Sequence, residues 1–312
     1  EFTDRTDRHR LSLYHSVNIE TNFTAKLLLQ DQSDRFMNRD FFESDFRRDP
    51  QPESHVEIAK HWQNFSVSLL AQPQVDEFYQ TIERLPELRV TGLRQRLGDS
   101  PIFYESEASF GYFKFSPSSD HLDLNGYEAF RGDTHQQLLL PKNYSGWLNV
   151  VPHAGLRFTH YGSRSSDNSG FVQMNDLNRS VFNTGVEFSF KASSTLPDAK
   201  LSLLDVNGLR HVVQPMANYL FVPEPNKRPW ELPQFDRELH SLRLRPIDFP
   251  DYNSIDTIDS SNVIRIGVRN RLQTKRFGLV DDVLNWELFT DWRLDNDLYE
   301  ARFNDVYSDL EV

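Results

Sequence analysis

The chain has 312 residues, a formal net charge of −12 and no cysteine. This acidity argues against nucleic acid as a partner, because phosphate backbones are bound by clustered Lys and Arg side chains. Without cysteine, the chain forms no disulfide, zinc–thiolate site or thiol nucleophile. It has no apolar run of about 18 residues, so the sequence predicts no transmembrane helix.

Low hydrophobicity is combined with many aromatic residues. Hydrophobic residues make up 38% of the chain and aromatic residues 13%. The wall of a barrel with a wet interior needs an apolar residue only at every second position of each strand. The composition therefore favours a β-barrel, with an acidic soluble β-protein as the alternative. The chain begins without a signal peptide or initiator Met, which predicts a piece of a larger exported protein.

Polar and apolar residues alternate in several segments of the first third. The alternation predicts strands over 8–20 and 23–29, a strand pair within 54–73, and a second pair over 86–97 and 102–115. A Gly-Asp-Ser-Pro sequence at 98–101 predicts the turn of the second pair. Between the first strands, residues 31–53 carry charges of both signs. This predicts a solvated loop, and its acidic residues match no metal-binding template.

The rest of the chain predicts strands separated by longer polar links. Residues 116–145 predict a long polar loop, 194–207 a connector, and 223–261 the longest loop. Alternation predicts further strands, which cover 146–161, 180–193, the segment from 208, 262–274 and 283–294. We expect roughly 11–12 antiparallel strands, with links that alternate between short and long as in outer-membrane barrels.

No enzyme motif occurs: the sequence lacks HExxH, GxSxG and a P-loop. His153 and His160 have odd spacing, which places them on opposite faces of one strand. His211 is interpreted as structural rather than catalytic. The sequence therefore predicts no catalytic residue, no cofactor and no metal site.

The most distinctive segment is Gly208–Pro225, which reads GLRHVVQPMANYLFVPEP and continues to Leu232–Asp236. Aromatic residues cluster where this strand gives way to prolines, which suits a membrane–water interface or, equally, the aromatic corner of a soluble sandwich. Three other distinctive segments precede it: Gln32–Phe36 with Asp40–Phe42, Ile82–Leu88, and Leu148–Tyr161.

Together these four segments resemble, in the same order, motifs of the LPS-assembly outer-membrane protein family, LptD, also called the organic solvent tolerance protein family. The resemblance covers most of the chain. The positions that match the family motifs are interpreted as structural: Arg84, Leu85, Pro86, Arg210, His211, Pro215, Tyr219, Pro223, Pro233 and Asp236.

The resemblance implies an all-β fold, an antiparallel transmembrane β-barrel with long polar loops. Residues 1–312 would be a partial outer-membrane barrel domain, without the N-terminal jelly-roll and the first and last barrel strands. The implied function is to move lipopolysaccharide from a periplasmic bridge through the barrel into the outer leaflet of a Gram-negative outer membrane. The implied partners are lipopolysaccharide, an LptE-like lipoprotein plug and an LptA-like bridge reached through the N-terminal domain.

Three arginines alternate with aliphatic residues in the sharpest predicted strand. Arg265, Arg269 and Arg271 would each cost roughly 2–4 kcal/mol on a lipid face, so they must face a wet lumen or an acidic surface. They are candidate lumen-facing contacts for the plug, for loops or for phosphorylated sugar. Ion pairs with Asp and Glu on neighbouring strands are the simpler interpretation.

Two other functions fit the alternation without the motifs. One is a passive porin or a ligand-gated outer-membrane transporter. The other is a soluble all-β module that binds carbohydrate through Trp147, Trp230 and Trp292.

Overall fold

The computed structural model describes residues 7–120, 125–162, 165–166, 175–201, 206–236, 247, 255–276, 278–295, 303 and 306–311. Within these ranges sixteen strands form a single sheet, and every strand pair is antiparallel. The predicted all-β antiparallel fold class is therefore confirmed. The predicted number of strands was too low.

The strands are β1 (Arg10–Glu20), β2 (Phe23–Gln32), β3 (His55–His61), β4 (Phe65–Gln72), β5 (Thr81–Arg96), β6 (Phe103–Ser116), β7 (Tyr127–Leu139), β8 (Lys142–Tyr144), β9 (Leu148–Tyr161), β10 (Ser165–Ser166), β11 (Leu177–Phe190), β12 (Ala192–Leu201), β13 (Val206–Val222), β14 (Ser261–Arg276), β15 (Leu279–Arg293) and β16 (Tyr307–Glu311). The helices are α1 (Met37–Phe41) and α2 (Glu43–Arg48), and a 3-10 turn covers Pro229–Glu231. None of these described helices is long and apolar enough to cross a membrane.

Thirteen strands follow one another across the sheet in the order β1-β2-β3-β4-β5-β6-β7-β9-β11-β13-β14-β15-β16. The short strands β8, β10 and β12 continue β7, β9 and β11 after an interruption, and each pairs with the neighbour of the strand that it extends. Pro215 lies in β13 where its neighbour changes from β11 to β12. A proline has no backbone N–H to donate, so it fits a gap in the ladder.

Short and long links leave the sheet at opposite ends. The short links cover 21–22, 62–64, 97–102, 145–147, 202–205 and 277–278, whereas the long links cover 33–54, 73–80, 117–126, 162–176, 223–260 and 294–306. Successive antiparallel strands run in opposite directions, so alternate links meet at the same end. We call these ends the short-turn end and the long-link end. The alternation of link lengths predicted from the sequence is confirmed.

Three predicted loops contain regular structure. Strand β7 lies inside 116–145, β12 lies inside the connector 194–207, and α1 and α2 lie inside 31–53. Several charges of 31–53 form ion pairs. Arg8, just before β1, reaches Asp40 of α1 at 3.0 Å, and Arg10 of β1 reaches Asp45 of α2 at 2.9 Å, so the two helices are held against the start of β1. Residues 121–124 and 202–205 of these loops lie outside the described residues, as do 237–246 and 248–254 of the predicted loop 223–261.

The two faces of the sheet have inverted polarity. One face, here called the outer face, carries exposed apolar side chains on most strands, including Val17, Ile58, Leu69, Leu88, Phe110, Leu156, Phe182, Ile266 and Trp286. The opposite face, here called the inner face, is mainly polar at its centre. Its buried side chains there include Arg131, Asp133, Arg157, Thr159, Arg179 and Asn183. A soluble sheet usually buries its apolar face, whereas here the apolar face is the exposed one.

Glycines make room for large side chains on the inner face. A Cβ atom at Gly155 would overlap Asn183 Oδ1 and lie 3.1 Å from His135 Nε2. A Cβ atom at Gly267 would overlap the ring of Phe289, which lies directly opposite on β15. At both positions the absence of a side chain on the glycine leaves space for a side chain of the neighbouring strand to lie over the glycine backbone.

Candidate functional site: a strap across the inner face

The link between β13 and β14 folds back over the inner face. We call its described residues 223–236 and 255–260 the strap. Near its start, Ser180 N donates to Asn226 Oδ1 at 2.8 Å and Asn226 Nδ2 donates to Asn178 O at 3.2 Å, which fastens the strap to β11. Its two halves are joined by an ion pair of 2.7 Å between Arg228 and Asp259.

An aromatic contact anchors the first half of the strap on β6 and β7. The Phe235 ring is fully buried, with its centroid 5.5 Å from that of Phe113 and 5.4 Å from that of Tyr127. The Tyr127 hydroxyl donates to Gln234 O at 2.7 Å. Buried Leu232 completes the cluster. The strap thus crosses from β13 as far as β6.

Arg131 of β7 joins the two halves of the strap. Its Nη1 atom donates to Asp236 Oδ1 and to Asp256 Oδ2, each at 2.9 Å. Asp256 N donates to Asp236 Oδ2 at 2.6 Å, and Phe235 N donates to Asp256 Oδ2 at 2.7 Å. One buried guanidinium therefore holds two carboxylates that lie 20 residues apart in the chain.

A second buried arginine holds the other half of the strap through its backbone. Arg179 of β11 donates from Nη1 to Asp256 O at 3.3 Å and to Ile258 O at 3.4 Å, and from Nη2 to Ile255 O. The Tyr161 hydroxyl of β9 donates to Asp256 Oδ1. Ile258 packs into the apolar cluster of Val181, Leu220, Val222 and Val263. These contacts fix residues 255–258 on β9, β11 and β13.

The Asp256 carboxyl is the electrostatic centre of the attachment. Its complete burial raises its pKa, the Arg131 charge opposes that rise, and the neighbouring Asp236 adds to it, so that the pKa lies at about 6. Desolvation disfavours the charged carboxylate, whereas a nearby cation favours it. The Asp256 side chain therefore titrates close to neutral pH.

A further buried arginine lies one row away from the strap contacts. Arg157 Nη1 is 3.5 Å from Asp133 Oδ2, and its Nη2 is 3.7 Å from Glu107 Oε2. Thr159 donates to Asp133 at 2.7 Å. Each of these arginines faces acidic or carbonyl oxygens, as burial of a guanidinium requires. The sequence motifs single out Asp236 but not the buried arginines or Asp256, because these residues come from separate strands and from a distant part of the strap.

The arginine row predicted on β14 lies on the same inner face. Arg265 forms a two-pronged ion pair with Asp291 on β15, with Nε–Oδ1 at 2.7 Å and Nη2–Oδ2 at 2.9 Å. Arg269 pairs with Glu287 on the same strand. Arg271 lies directly opposite Asn285. A cavity of about 560 Å³ lies beside this row, and its lining includes Glu187, Gln214, Arg265, Glu287 and Phe289.

The residues that match the family motifs are spread over the sheet rather than gathered into one site. In β5, Arg84 lies 3.5 Å from Glu87, and Leu85 is partly exposed. The Leu85–Pro86 peptide bond is cis, at a break in the β5–β6 register.

The motif residues of β13 lie at different levels of the strand. Arg210 and His211 lie towards the short-turn end, where His211 Nε2 is 3.3 Å from Asn270 Oδ1. Tyr219 lies inside β13 rather than in a loop, because β13 continues to Val222. As the sequence predicted, the strand gives way to prolines directly after Tyr219 and Phe221, at Pro223.

Two motif residues belong to the strap. Pro233 lies between buried Leu232 and Phe235, and Asp236 accepts from Arg131. Pro223 marks the position where β13 ends and the strap begins.

The tryptophans considered for carbohydrate binding do not converge. Trp147 lies in a link at the short-turn end and Trp230 in the strap at the long-link end. Trp292 stacks on Phe303 near the end of β15. His153 and His160 lie on opposite faces of β9, as their spacing predicts. Within the described ranges, no group of three His, Asp or Glu residues is placed to hold a metal ion.

Comparison with protein families agrees with the resemblance drawn from the four motifs. The model of the LptD family, described as LPS transport system D, matches residues 6–281. The match includes β1–β14 and the strap, and that family consists of transport proteins rather than enzymes. A comparison with curated proteins gave no match. The chain thus belongs to the LptD family, and its function lies in lipopolysaccharide transport.

Proposed function

We propose that this sheet is part of the wall of an outer-membrane β-barrel through which lipopolysaccharide passes from the periplasmic side to the outer leaflet. The observation that carries the proposal is the inverted polarity of the two faces. The outer face exposes Leu156 at 53%, Phe110 at 47% and Phe182 at 45% of their surface, whereas Arg157 beside Leu156 is fully buried. Hydrocarbon outside and polar groups inside are what a barrel wall requires.

The two kinds of link support an orientation. Outer-membrane barrels have short periplasmic turns and longer extracellular loops. In this orientation the short-turn end faces the periplasm, and the long-link end, with α1, α2 and the start of the strap, faces outwards. The chain then forms a partial barrel domain, with the jelly-roll and the remaining strands contributed by other parts of the protein.

The strap favours a guided path over a passive pore. A porin needs a water-filled lumen. Here the strap covers the inner face from β6 to β13 and is held by Arg131 and Arg179. In this proposal the strap restricts free diffusion of solutes past this part of the wall. The lipid leaves the barrel at a different part of the wall.

The polar inner face also has room for the partners that the family implies. We place an LptE-like lipoprotein plug against the row of Arg265, Arg269 and Arg271 and its cavity, or lipopolysaccharide phosphates on the same row. Arg271 is the best candidate because Asn285, rather than a carboxylate, lies opposite it. An LptA-like bridge would act at the periplasmic side through the preceding domain.

Depletion of the full-length protein in its native host tests the proposal. We expect lipopolysaccharide to disappear from the cell surface and to accumulate at the inner membrane. Unchanged surface lipopolysaccharide together with lost uptake of a small solute would replace the proposal with a porin or ligand-gated transporter. A matched strain that carries Asp256→Asn and Asp236→Asn separates the strap from transport. It should deliver lipopolysaccharide but admit a large hydrophilic antibiotic.

A further inference from the structure

The hairpin of β12 and β13 continues beyond its neighbour at the short-turn end. Leu148, the first residue of β9, pairs with Phe190, the last residue of β11. Strand β12 adds ten residues beyond that level and pairs with β13 alone. These residues lie opposite Val206–Val213 of β13, and this stretch, at about 3.3 Å per residue, extends the hairpin by roughly 26 Å past the start of β9.

One edge of β12 therefore has no partner among the described strands. Residues 192–198 are all exposed on the surface. In an antiparallel strand every second residue directs its N–H and C=O groups away from the paired neighbour. This part of β12 thus presents a row of backbone donors and acceptors to an incoming strand.

The first five residues of β12 lack the usual protection of an edge. Ala192, Ser193, Ser194, Thr195 and Leu196 carry no charge and include no proline. Proteins normally protect open edges with prolines, charges or bulges. Those features begin only at Pro197, where the register with β13 also shifts. Residues 192–196, which we call the open edge, are available as a template for strand addition.

Basic side chains surround the open edge although the whole chain is acidic. Lys191 precedes it, Lys200 follows it, and Arg210 lies opposite Thr195 on β13. Asp198 is the one acidic residue of 191–200, so this segment is net positive, whereas the whole chain has a net charge of −12. Opposite charges across an interface choose the partner and fix the register.

We propose that the open edge binds an extended acidic segment of another protein as an added β-strand. Backbone hydrogen bonds to residues 192–196 would supply the affinity, and Asp or Glu side chains near Lys191, Lys200 and Arg210 the specificity. A second copy of this hairpin fits poorly, because antiparallel self-pairing would bring Lys191 of one copy towards Lys200 of the other. The inference does not depend on the side of a membrane that the short-turn end faces.

Photo-crosslinking in the full-length protein tests this inference. A benzophenone-bearing residue is placed singly at Ala192, Ser194 or Leu196, which share one face of β12, and the adducts are mapped by mass spectrometry. We expect all three to label one acidic segment of one partner. The labelled residue should move by about two positions for each two-residue step along β12, as strand pairing requires.

The charge requirement is tested in the protein that carries the benzophenone-bearing residue at Ser194. The double change Lys191→Glu and Lys200→Glu should reduce the adduct yield at least tenfold. The matched control Lys142→Glu, an exposed lysine of β8 at the same end, should leave the yield unchanged. All these lysines are exposed, so the fold should survive, and the level of full-length protein in the membrane checks this.

Four outcomes would overturn the inference: no adduct, adducts without a register, adducts with a second copy of this chain, or an adduct yield that the two glutamates leave unchanged. Because the adduct rather than lipopolysaccharide delivery is measured, failure here is distinguishable from failure of the transport proposal.

Discussion

Arg131, Arg157 and Arg179 are the largest fully buried side chains of the described structure. A buried guanidinium is tolerated only where oxygens satisfy its donors, and removal of one partner of such a pair typically costs about 3–5 kcal/mol. Two of these arginines use the strap as their source of oxygens. The sheet and the strap therefore stabilise each other. Removal of the strap from the inner face would leave the donors of these two arginines without their oxygen partners.

At Arg179 the spacing of the donors decides the outcome of substitution. The guanidinium reaches three backbone carbonyls from two nitrogens: Nη1 donates to those of Asp256 and Ile258, and Nη2 to that of Ile255. We predict that Arg179→Lys, whose donors all sit on one nitrogen, cannot reach all three, leaves a buried carbonyl unpaired and weakens the strap by about 1–3 kcal/mol. Hydrogen exchange at the Asp256 amide measures this change.

The control for this substitution is Arg47→Lys. Arg47 forms an exposed ion pair with Glu43 on α2, so its replacement should not change exchange at the Asp256 amide. Equal exchange at that amide in the Arg179→Lys and unaltered proteins would show that Arg179 does not hold the strap.

The pKa of Asp256 makes the strap sensitive to pH. Burial and the neighbouring Asp236 raise this pKa to about 6, from an unperturbed value of about 3.9. The folded state therefore holds a proton more tightly than the released strap does. This contribution to stability is complete below about pH 4 and is lost as the pH rises through about 6.

Exchange at the Phe235 amide, which donates to Asp256, measures this pH effect. After correction for intrinsic rates, protection should increase as the pH falls from 8 to 5. Asp256→Asn should remove the dependence, because the amide does not titrate. Protection that decreases on acidification would mean that the ionised carboxylate, held by Arg131, is the preferred form.

At the scale of single strands, cross-strand ion pairs hold β14 against β15. The Arg265–Asp291 pair is two-pronged and largely shielded from solvent. We predict a coupling energy of about 1 kcal/mol in a double-mutant cycle of Arg265→Gln and Asp291→Asn. Urea unfolding of the purified full-length protein in lipid vesicles supplies the four stabilities.

Another cross-strand pair on the same face of the same two strands is the control. Arg271 lies opposite Asn285, so a cycle of Arg271→Gln and Asn285→Ala should give coupling close to zero. A coupling near zero for Arg265 and Asp291 as well would show that their ion pair adds nothing beyond the strand pairing itself.

Alternation predicted most strands because a half-apolar strand has a period of two. It missed β7 because its inward positions are the polar residues Arg131, Asp133, His135 and Gln137, and its outward positions include Gly132 and Thr134. Such a strand has the composition of a polar loop. Its polar side chains are buried only because neighbouring strands and the strap cover them, and sequence periodicity carries no information about that cover.

At the scale of the whole molecule, the strap shows where prediction from the sequence ends. The motif that contains Pro233 and Asp236 was recognised from the sequence. Asp236, however, contacts Arg131, which lies 105 residues away in the chain, and Asp256 contacts the same arginine over 125 residues. Local patterns contain no information on such distant pairs. Residues 223–261 were predicted only as the longest loop, and nothing in their sequence indicated that Asp256 is fully buried.

The inverted polarity leads to a prediction about the surroundings of the sheet. Leu156 lies near the middle of β9 on the outer face, and Leu196 lies on the hairpin that projects at the short-turn end. In lipid vesicles, Leu156→Arg should lower the free energy of unfolding of the full-length protein by about 2–4 kcal/mol, as expected for arginine near the bilayer midplane.

Leu196→Arg is the matched comparison, because both leucines are 53% exposed but only Leu156 would contact hydrocarbon. It should change the free energy by at most about 0.5 kcal/mol, as for an ordinary surface substitution. Equally small effects at both positions would mean that water, and not lipid, covers the outer face.

The separation of link lengths between the two ends also governs how this protein can diverge between species. A single insertion within a strand moves every following side chain to the opposite face, which would move inner-face arginines to the apolar outer face. An insertion in a long link leaves every ladder in register, and doubling the length of such a link costs only about 0.6 kcal/mol. Changes in chain length should therefore accumulate at the long-link end. If that end is outside the cell, antibodies and phages would meet the fastest-changing part of the molecule there, while the transport wall behind it stays constant.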